Sequence, residues 1–381
     1  MKTVDLFLVI ILLAVMAGCG GGKQATDDLI FVDVLKSYPK KELILQDFLD
    51  VEYIPLDDAD EFVTKGLGGN ISKNYIVVRN GGTNGDIYFF DRSTGKGLRK
   101  INRGGQGPEE YYAIGSIVID EDNNEMFVCF GQDMVVYDLF GNFKRRFNSM
   151  REYGYSYVVN FDRDHLFFED NLYKSQDERK NRFRIMSKQD GSIVKEIEIP
   201  YKQKITERTE ISSGPRIQLL VPEGYSNSWA IVETSSDTIY RLLPDYSMIP
   251  MIVRTPSIQS MSPPETFLSP FAFTDRYILM QTRSKDIESF YPRKNVMWDR
   301  QEKAVFEYVL YNADYERPVK LEYETILFPF LDNEIVFGER LEAHEIVEAY
   351  EKGQLKGRLK EIAADLDAES NPVIMIAKHR K

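Results

Sequence analysis

The sequence predicts an all-β fold: a six-bladed β-propeller with a short helical insertion near the C-terminus. Three observations predict it. The first is a recurring module of apolar strand, acidic turn closed by Gly, and return strand. It occurs at residues 87–101 around Asp91 and Gly95, at 134–147 around Asp138 and Gly141, and at 183–197 around Asp190 and Gly191. Repetition at about 50 residues marks an array of one supersecondary unit. The second is that strands in the modules are nearly continuous in apolar residues, which implies burial on both faces, as in blades sandwiched between neighbours. The third is that five modules leave enough chain at the two ends for one more, with a final apolar strand at 372–377 that an N-terminal strand completes. Closing the ring in this way removes exposed sheet edges.

The elements follow in order. Residues 6–16 form an apolar run of 11 after Lys2, too short to span a bilayer and the right length for the core of a signal peptide. Met16-Ala17-Gly18-Cys19 resembles a bacterial lipobox, so residues 1–18 are expected to be a lipoprotein signal peptide and Cys19 the lipidated residue. Residues 19–28 are polar and Gly-rich and read as a flexible tether. Residues 29–381 are then a single propeller domain. Strand-like segments at 42–45 and 51–56 precede the first module. The turn acids are expected to be Asp91, Asp138, Asp190, Asp245 and Asp314, at intervals of 47, 52, 55 and 69 residues; Asp bonds its own backbone in such turns and Gly supplies positive φ. Inner strands are read at 116–120 and 157–161. Residues 339–367 are the expected helical insertion, with Leu355, Leu359, Ile362 and Leu366 at helical spacing and Gly353 dividing two short helices.

Composition narrows the function. The chain has 381 residues, 43% of them hydrophobic, with 22 Tyr and 23 Phe, which suits pleated, half-buried surfaces. Lys and Arg total 48 against 60 Asp and Glu, a net charge of −12, so nucleic acid is not an expected partner. With Cys19 lipidated, Cys129 has no disulfide partner and reads as a small hydrophobe in a buried strand.

The lipobox, the modules, the loop Gly104-Gly105-Gln106-Gly107-Pro108-Glu109-Glu110-Tyr111 and the ending Glu369-Ser370-Asn371-Pro372-Val373-Ile374-Met375 are similar to a family of bacterial six-bladed β-propeller lipoproteins, with strand modules like those of NHL propellers. The resemblance implies the architecture and a lipid-anchored place in the cell envelope, at the outer membrane. It implies no agreed activity and transfers no catalytic residues.

Chemistry is sparse. The Gly-rich loop lacks the Gly-Lys-Ser/Thr of a phosphate loop and has β structure on both sides; Arg103, Gln106, Glu109 and Tyr111 are expected as funnel-facing ligand contacts. The acidic stretch 120–124 lacks the Gly and Glu of an EF-hand and reads as a solvated turn, as does the mixed-charge run 174–184. His165, His344 and His379 are scattered over strand, helix and tail, and HExxH, paired CxxC and Gly-x-Ser-x-Gly motifs do not occur. The expected function is a noncatalytic binding or scaffold role toward a carbohydrate, peptide or protein partner, with the membrane reached through the anchor and no cofactor. The alternative is a divalent-metal-dependent hydrolase of lactonase or esterase type, holding a cation such as Ca²⁺ in the funnel with ligands the sequence does not identify. A third reading is an envelope-assembly subunit that uses the helical insertion.

Overall fold

The computed structural model describes residues 29–380 apart from 81–84, 148–154, 171–181, 206–219, 224–227, 287, 289–291, 317–325 and 328–333. The signal-peptide and tether segments and Cys19 lie outside the described residues. The chain enters through β1 (Ile30–Asp33) and β2 (Lys40–Ile44), turns through α1 (Leu45–Phe48) and continues as β3 (Leu49–Pro55). Blade 1 follows as β4 (Leu67–Ile71), β5 (Tyr75–Arg79), β6 (Asp86–Asp91) and β7 (Gly97–Asn102). Blade 2 is β8 (Ser116–Asp120), β9 (Glu125–Phe130), β10 (Asp133–Tyr137) and β11 (Phe143–Phe147), and blade 3 is β12 (Tyr155–Asn160), β13 (His165–Asp170), β14 (Phe183–Ser187) and β15 (Ile193–Ile197). Blade 4 is β16 (Leu220–Pro222), β17 (Trp229–Ile231), β18 (Thr238–Leu242) and β19 (Met248–Thr255), and blade 5 is β20 (Thr266–Phe273), β21 (Tyr277–Ser284), β22 (Arg293–Asp299) and β23 (Ala304–Tyr311). The sixth sheet combines β24 (Ile326–Leu327), β25 (Ile335–Leu341) and β26 (Val373–His379) with the N-terminal β3.

The ring therefore closes as the sequence predicts. β26 pairs antiparallel with β3 from Val373 beside Pro55 to His379 beside Leu49. Before reaching that position the N-terminal segment adds a parallel strand to each of two other blades: β1 to β19, with Ile30 beside Ile252, and β2 to β23, with Lys40 beside Glu307. Blades 4 and 5 thus have five strands each.

The core lies between blades. Phe89 and Val77 of blade 1 pack with Ile117, Val128 and Val135 of blade 2, and Ile374 and Ile376 of blade 6 pack with Ile71, Ile76 and Phe90 of blade 1. All six residues of β9 are buried, which explains the continuous apolar runs: the inner strands of a sandwiched blade have two dry faces, whereas outer strands such as β11 and β15 are largely exposed. Each fully buried large apolar side chain contributes about 1.5–3 kcal/mol relative to exposure. Cys129 is one of these β9 residues, and burial pushes its thiol well above the ordinary range.

Four of the five expected turn acids hold. Asp91 accepts from the backbone N–H of Ser93 and Thr94, Asp138 from Phe140 and Asn142, Asp190 from Ser192 and Asp245 from Ser247. Gly95, Gly141 and Gly191 adopt φ of 74°, 86° and 76°. The fifth expectation is corrected. Residues 307–311 belong to β23, the fourth strand of blade 5, so Asp314 follows the blade instead of turning within it. The equivalent residue is Asp299, which ends β22 and accepts from the N–H of Gln301 and Glu302. The interval from Asp245 is then 54 residues, and the irregular spacing of 69 disappears. Tyr246 and Lys303 take the left-handed conformation in blades 4 and 5, with φ of 66° and 49°, so Gly does not mark the turn there.

The helical insertion is shorter at both ends than expected. Residues 339–341 finish β25, and the helices are α2 (Ala343–Glu351) and α3 (Gly357–Ala363), with Gly353 between them at φ 69°. Ile346, Leu355, Leu359 and Ile362 are buried with Leu43, Leu49, Leu310 and Met375. The apolar stripe covers the junction of blades 5 and 6.

Candidate functional site

In a meandering blade the turns between second and third strands share one end with the connections to the next blade. The loop at 104–111 and the segment at 232–237 both lie at such connections. The first is tied down as a structural turn. Gly104 and Tyr111 form an isolated bridge, and Gly107 N–H donates to the Glu110 carboxylate at 2.8 Å. A Cβ on Gly105 would stand 1.9 Å from that carboxylate, so a larger residue there would displace the Glu110 side chain from its bond to Gly107. Arg146 of β11 donates to the carbonyls of Pro108 and Glu110 at 3.2 and 3.0 Å.

The structure divides the four expected contact residues of this loop. Tyr111 is a core residue: it is fully buried, its hydroxyl donates to the Gly85 carbonyl at 2.6 Å and accepts from Arg103 N–H at 3.1 Å. Burial pushes its phenol up to about 12. Arg103 is exposed, but its Nε donates to the Gly141 carbonyl at 2.9 Å, at the outer turn of blade 2. Gln106 and Glu109 are exposed, and the Glu109 carbonyl accepts from Tyr137 at 2.6 Å.

Other expectations are corrected by burial. Asp120 is not solvated; it is fully buried and accepts from Lys188 Nζ at 2.6 Å, because β8 places it between blades 2 and 3. His379 is not in a tail but is the buried last residue of β26. Of the mixed-charge run, residues 174–181 lie outside the described residues. Arg182 and Arg184 are buried: Arg182 pairs with Glu169, and Arg184 donates to Asp170 at 2.8 Å and to Glu196 at 3.2 Å.

Arg182 borders a group of buried polar side chains that spans blades 3 and 4 and the connection from blade 4 to blade 5. Glu233 follows β17 and is 3% exposed. Lys204 donates to it at 2.8 Å, Ser235 N–H at 3.0 Å, and Arg182 lies 3.8 Å away. Burial would raise the Glu233 carboxyl, but Lys204 and Arg182 outweigh it and hold the group below the usual carboxylate range. Gln259 fastens the group from the blade 5 side, donating to the Ser235 carbonyl at 2.6 Å and the Gln203 carbonyl at 2.9 Å.

Beside Glu233 lies a cavity of about 10 Å³, walled by Glu233, Thr234, Ser236, Asp237 and Arg254 over an apolar floor that includes Ile239 and Phe267. Arg254 is 5% exposed. Its backbone N–H meets the Asp237 carbonyl at 2.9 Å and its Nη2 reaches Met261 Sδ at 3.8 Å. Its Nε and Nη1 are buried and have no hydrogen-bond partner. Burial pushes the guanidinium down to about 10, against the attraction of Asp237, whose carboxylate is engaged by Ile258 N–H at 2.6 Å. A buried N–H left unmade costs about 1–3 kcal/mol, so this cavity favours an occupant that accepts hydrogen bonds. Sequence reasoning missed it because its wall joins the turn after β17, the end of β19 and β20 of the next blade. The available signal was charge inside apolar strands, as at Glu169-Asp170 after Leu166-Phe167-Phe168.

Among the described residues no three His, Cys, Asp or Glu converge as a metal site. The nearest approach to an acid–base group is His165, whose Nδ1 lies 2.9 Å from Asp162 and 3.4 Å from Tyr246.

Comparison with known proteins supports the architecture. No curated protein matches the chain in sequence. A solved structure of a candidate exported protein from Bacteroides fragilis is similar with a TM-score of 0.63 at 15% identity, over 90% of this chain and 99% of that one. A member of the DUF4221 family from Bacteroides vulgatus is similar with a TM-score of 0.50 at 11% identity, over 88% of this chain and 99% of that one. At these identities the likeness concerns the fold. A family model, DUF5128, described as a 6-bladed beta-propeller, matches residues 22–337. The chain belongs to that family of six-bladed β-propellers.

Proposed function

We propose that this chain is a noncatalytic binding protein of a bacterial cell envelope, held at the outer membrane by a lipid on Cys19, and that it takes a carbohydrate or peptide partner at the face between blades 4 and 5. The observation that carries the reading is Arg254, a nearly fully buried cation with two unpartnered N–H positions at a cavity walled by further polar groups. The cavity has room for one oxygen-sized group, such as a sugar hydroxyl or a peptide carbonyl, and the surrounding pairs at Glu233 hold its wall in place. Envelope placement is supported by the lipobox-like Met16-Ala17-Gly18-Cys19 and by the candidate exported protein of the same fold.

Thermal melting of the full chain across pools of glycans and peptides tests the ligand reading. A ligand at 100 Kd stabilises a protein by ~2.7 kcal/mol, so at least one pool is expected to raise Tm, and Arg254→Met is expected to abolish that rise. A flat response across the pools, or an equal rise in the variant, overturns the assignment.

A further inference from the structure

β1 breaks the rule that governs edge strands. Ile30, Val32 and Val34 point inward and are buried with Ile252 and Phe267 between blades 4 and 5. The alternate positions should then be polar, since they lie on the outer edge of the blade. Instead Phe31 is 60% exposed, as are Leu29 just before the strand at 41% and Leu35 in the bend after it at 60%, with Asp33 the one polar residue among them. β2, which occupies the same place on blade 5, exposes Lys40 and Glu42 with Ile44 at 42%, so the position itself accepts polar residues. Exposed apolar groups gathered in one place mark a surface that something covers.

The position of this edge along the chain selects the occupant. Leu29 is the first described residue, ten positions after Cys19. Ten residues reach at most ~35 Å when fully extended. We propose that the apolar edge at β1, formed by Phe31 with the flanking Leu29 and Leu35, rests on the bilayer surface in which the lipid on Cys19 is inserted. This rests on the lipid-anchor reading. Phe and Leu partition into the interfacial layer, where shallow burial of an apolar face adds to the binding given by acyl chains. The contact gives the propeller one orientation, with the blade 4 edge toward the membrane.

The test uses the acylated full-length protein reconstituted into phosphatidylethanolamine and phosphatidylglycerol vesicles, with Phe31→Trp as reporter. At 60% exposure of Phe31 the substitution is tolerated by the fold, and an unchanged melting curve verifies it. Vesicles are prepared with and without phospholipid brominated near the top of the acyl chains, and the wild type, with its two native Trp, sets the baseline. The expected result is flotation with the vesicles together with a loss, in brominated lipid, of the emission contributed by the introduced indole. Flotation without any loss beyond the wild-type baseline overturns the membrane contact while leaving the anchor intact. Failure to float overturns the anchor and the contact with it.

Discussion

Single residues decide how closely the blades can approach, and two glycines separate the reasons. Gly95 and Gly353 both have positive φ, 74° and 69°. A Cβ on Gly95 would lie 1.9 Å from the Pro55 carbonyl oxygen, whereas one on Gly353 would meet nothing within 4 Å. Left-handed backbone alone costs a non-Gly residue about 1–2 kcal/mol. Gly353→Ala is therefore expected to destabilise by about 1 kcal/mol in denaturant titration. Gly95→Ala is expected to exceed that by at least ~1 kcal/mol, because the turn of blade 1 must move off the strand that closes blade 6. Equal losses in the two variants would show that only φ matters.

Among the elements, β26 has an ionisable end. Burial holds the His379 imidazole below its ordinary range, against the opposing attraction of Asp275. The folded state therefore favours the neutral ring, and the unfolded chain binds the proton more readily. The sign follows: the stability contributed by the neutral ring is fully present above the ordinary value of about 6.5 and is lost as pH falls below it. Chemical unfolding measured from pH 7.5 to 5 is expected to show declining stability, and His379→Gln to flatten that decline; an unchanged slope in the variant would assign it to other groups. How far the elements were legible in the sequence depends on what shaped them. Strands such as β9 were legible because burial on both faces leaves an unbroken apolar run. Asp299 was not, because Arg276 and Lys41 pair with it and Lys303, in place of Gly, takes the left-handed position. The buried Asp120 looked like surface charge, since its partner comes from another part of the chain: Lys188 is 68 residues from Asp120. The Arg254 cavity was illegible for the same reason, whereas Arg103, Gln106, Glu109 and Tyr111 were conspicuous because Gly and Pro announce a turn.

The whole molecule depends on its N-terminal segment in a graded way. β1 and β2 add strands to blades that already have four, while β3 supplies the fourth strand of blade 6. Removal of residues 1–35 is expected to lower Tm yet leave one cooperative transition. Removal of residues 1–56 exposes β26 and uncovers the junction of blades 6 and 1 by taking away Ile54 and Leu56, and is expected to abolish cooperative melting. A single sharp transition after the longer truncation would show that the ring holds without its closing strand.

The order in which the N-terminal segment meets the ring also decides how the molecule bears a load. A pull applied at residue 29 reaches β1 first, then β2, and only then β3. β1 is bound through four residues and β2 through five, both in parallel register, whereas β3 is held through seven in antiparallel register. Tension is thus taken up by two short attachments that can part and re-form while the ring stays shut. The segment works as a strain relief between whatever tugs on the start of the chain and the seam on which the closed ring depends.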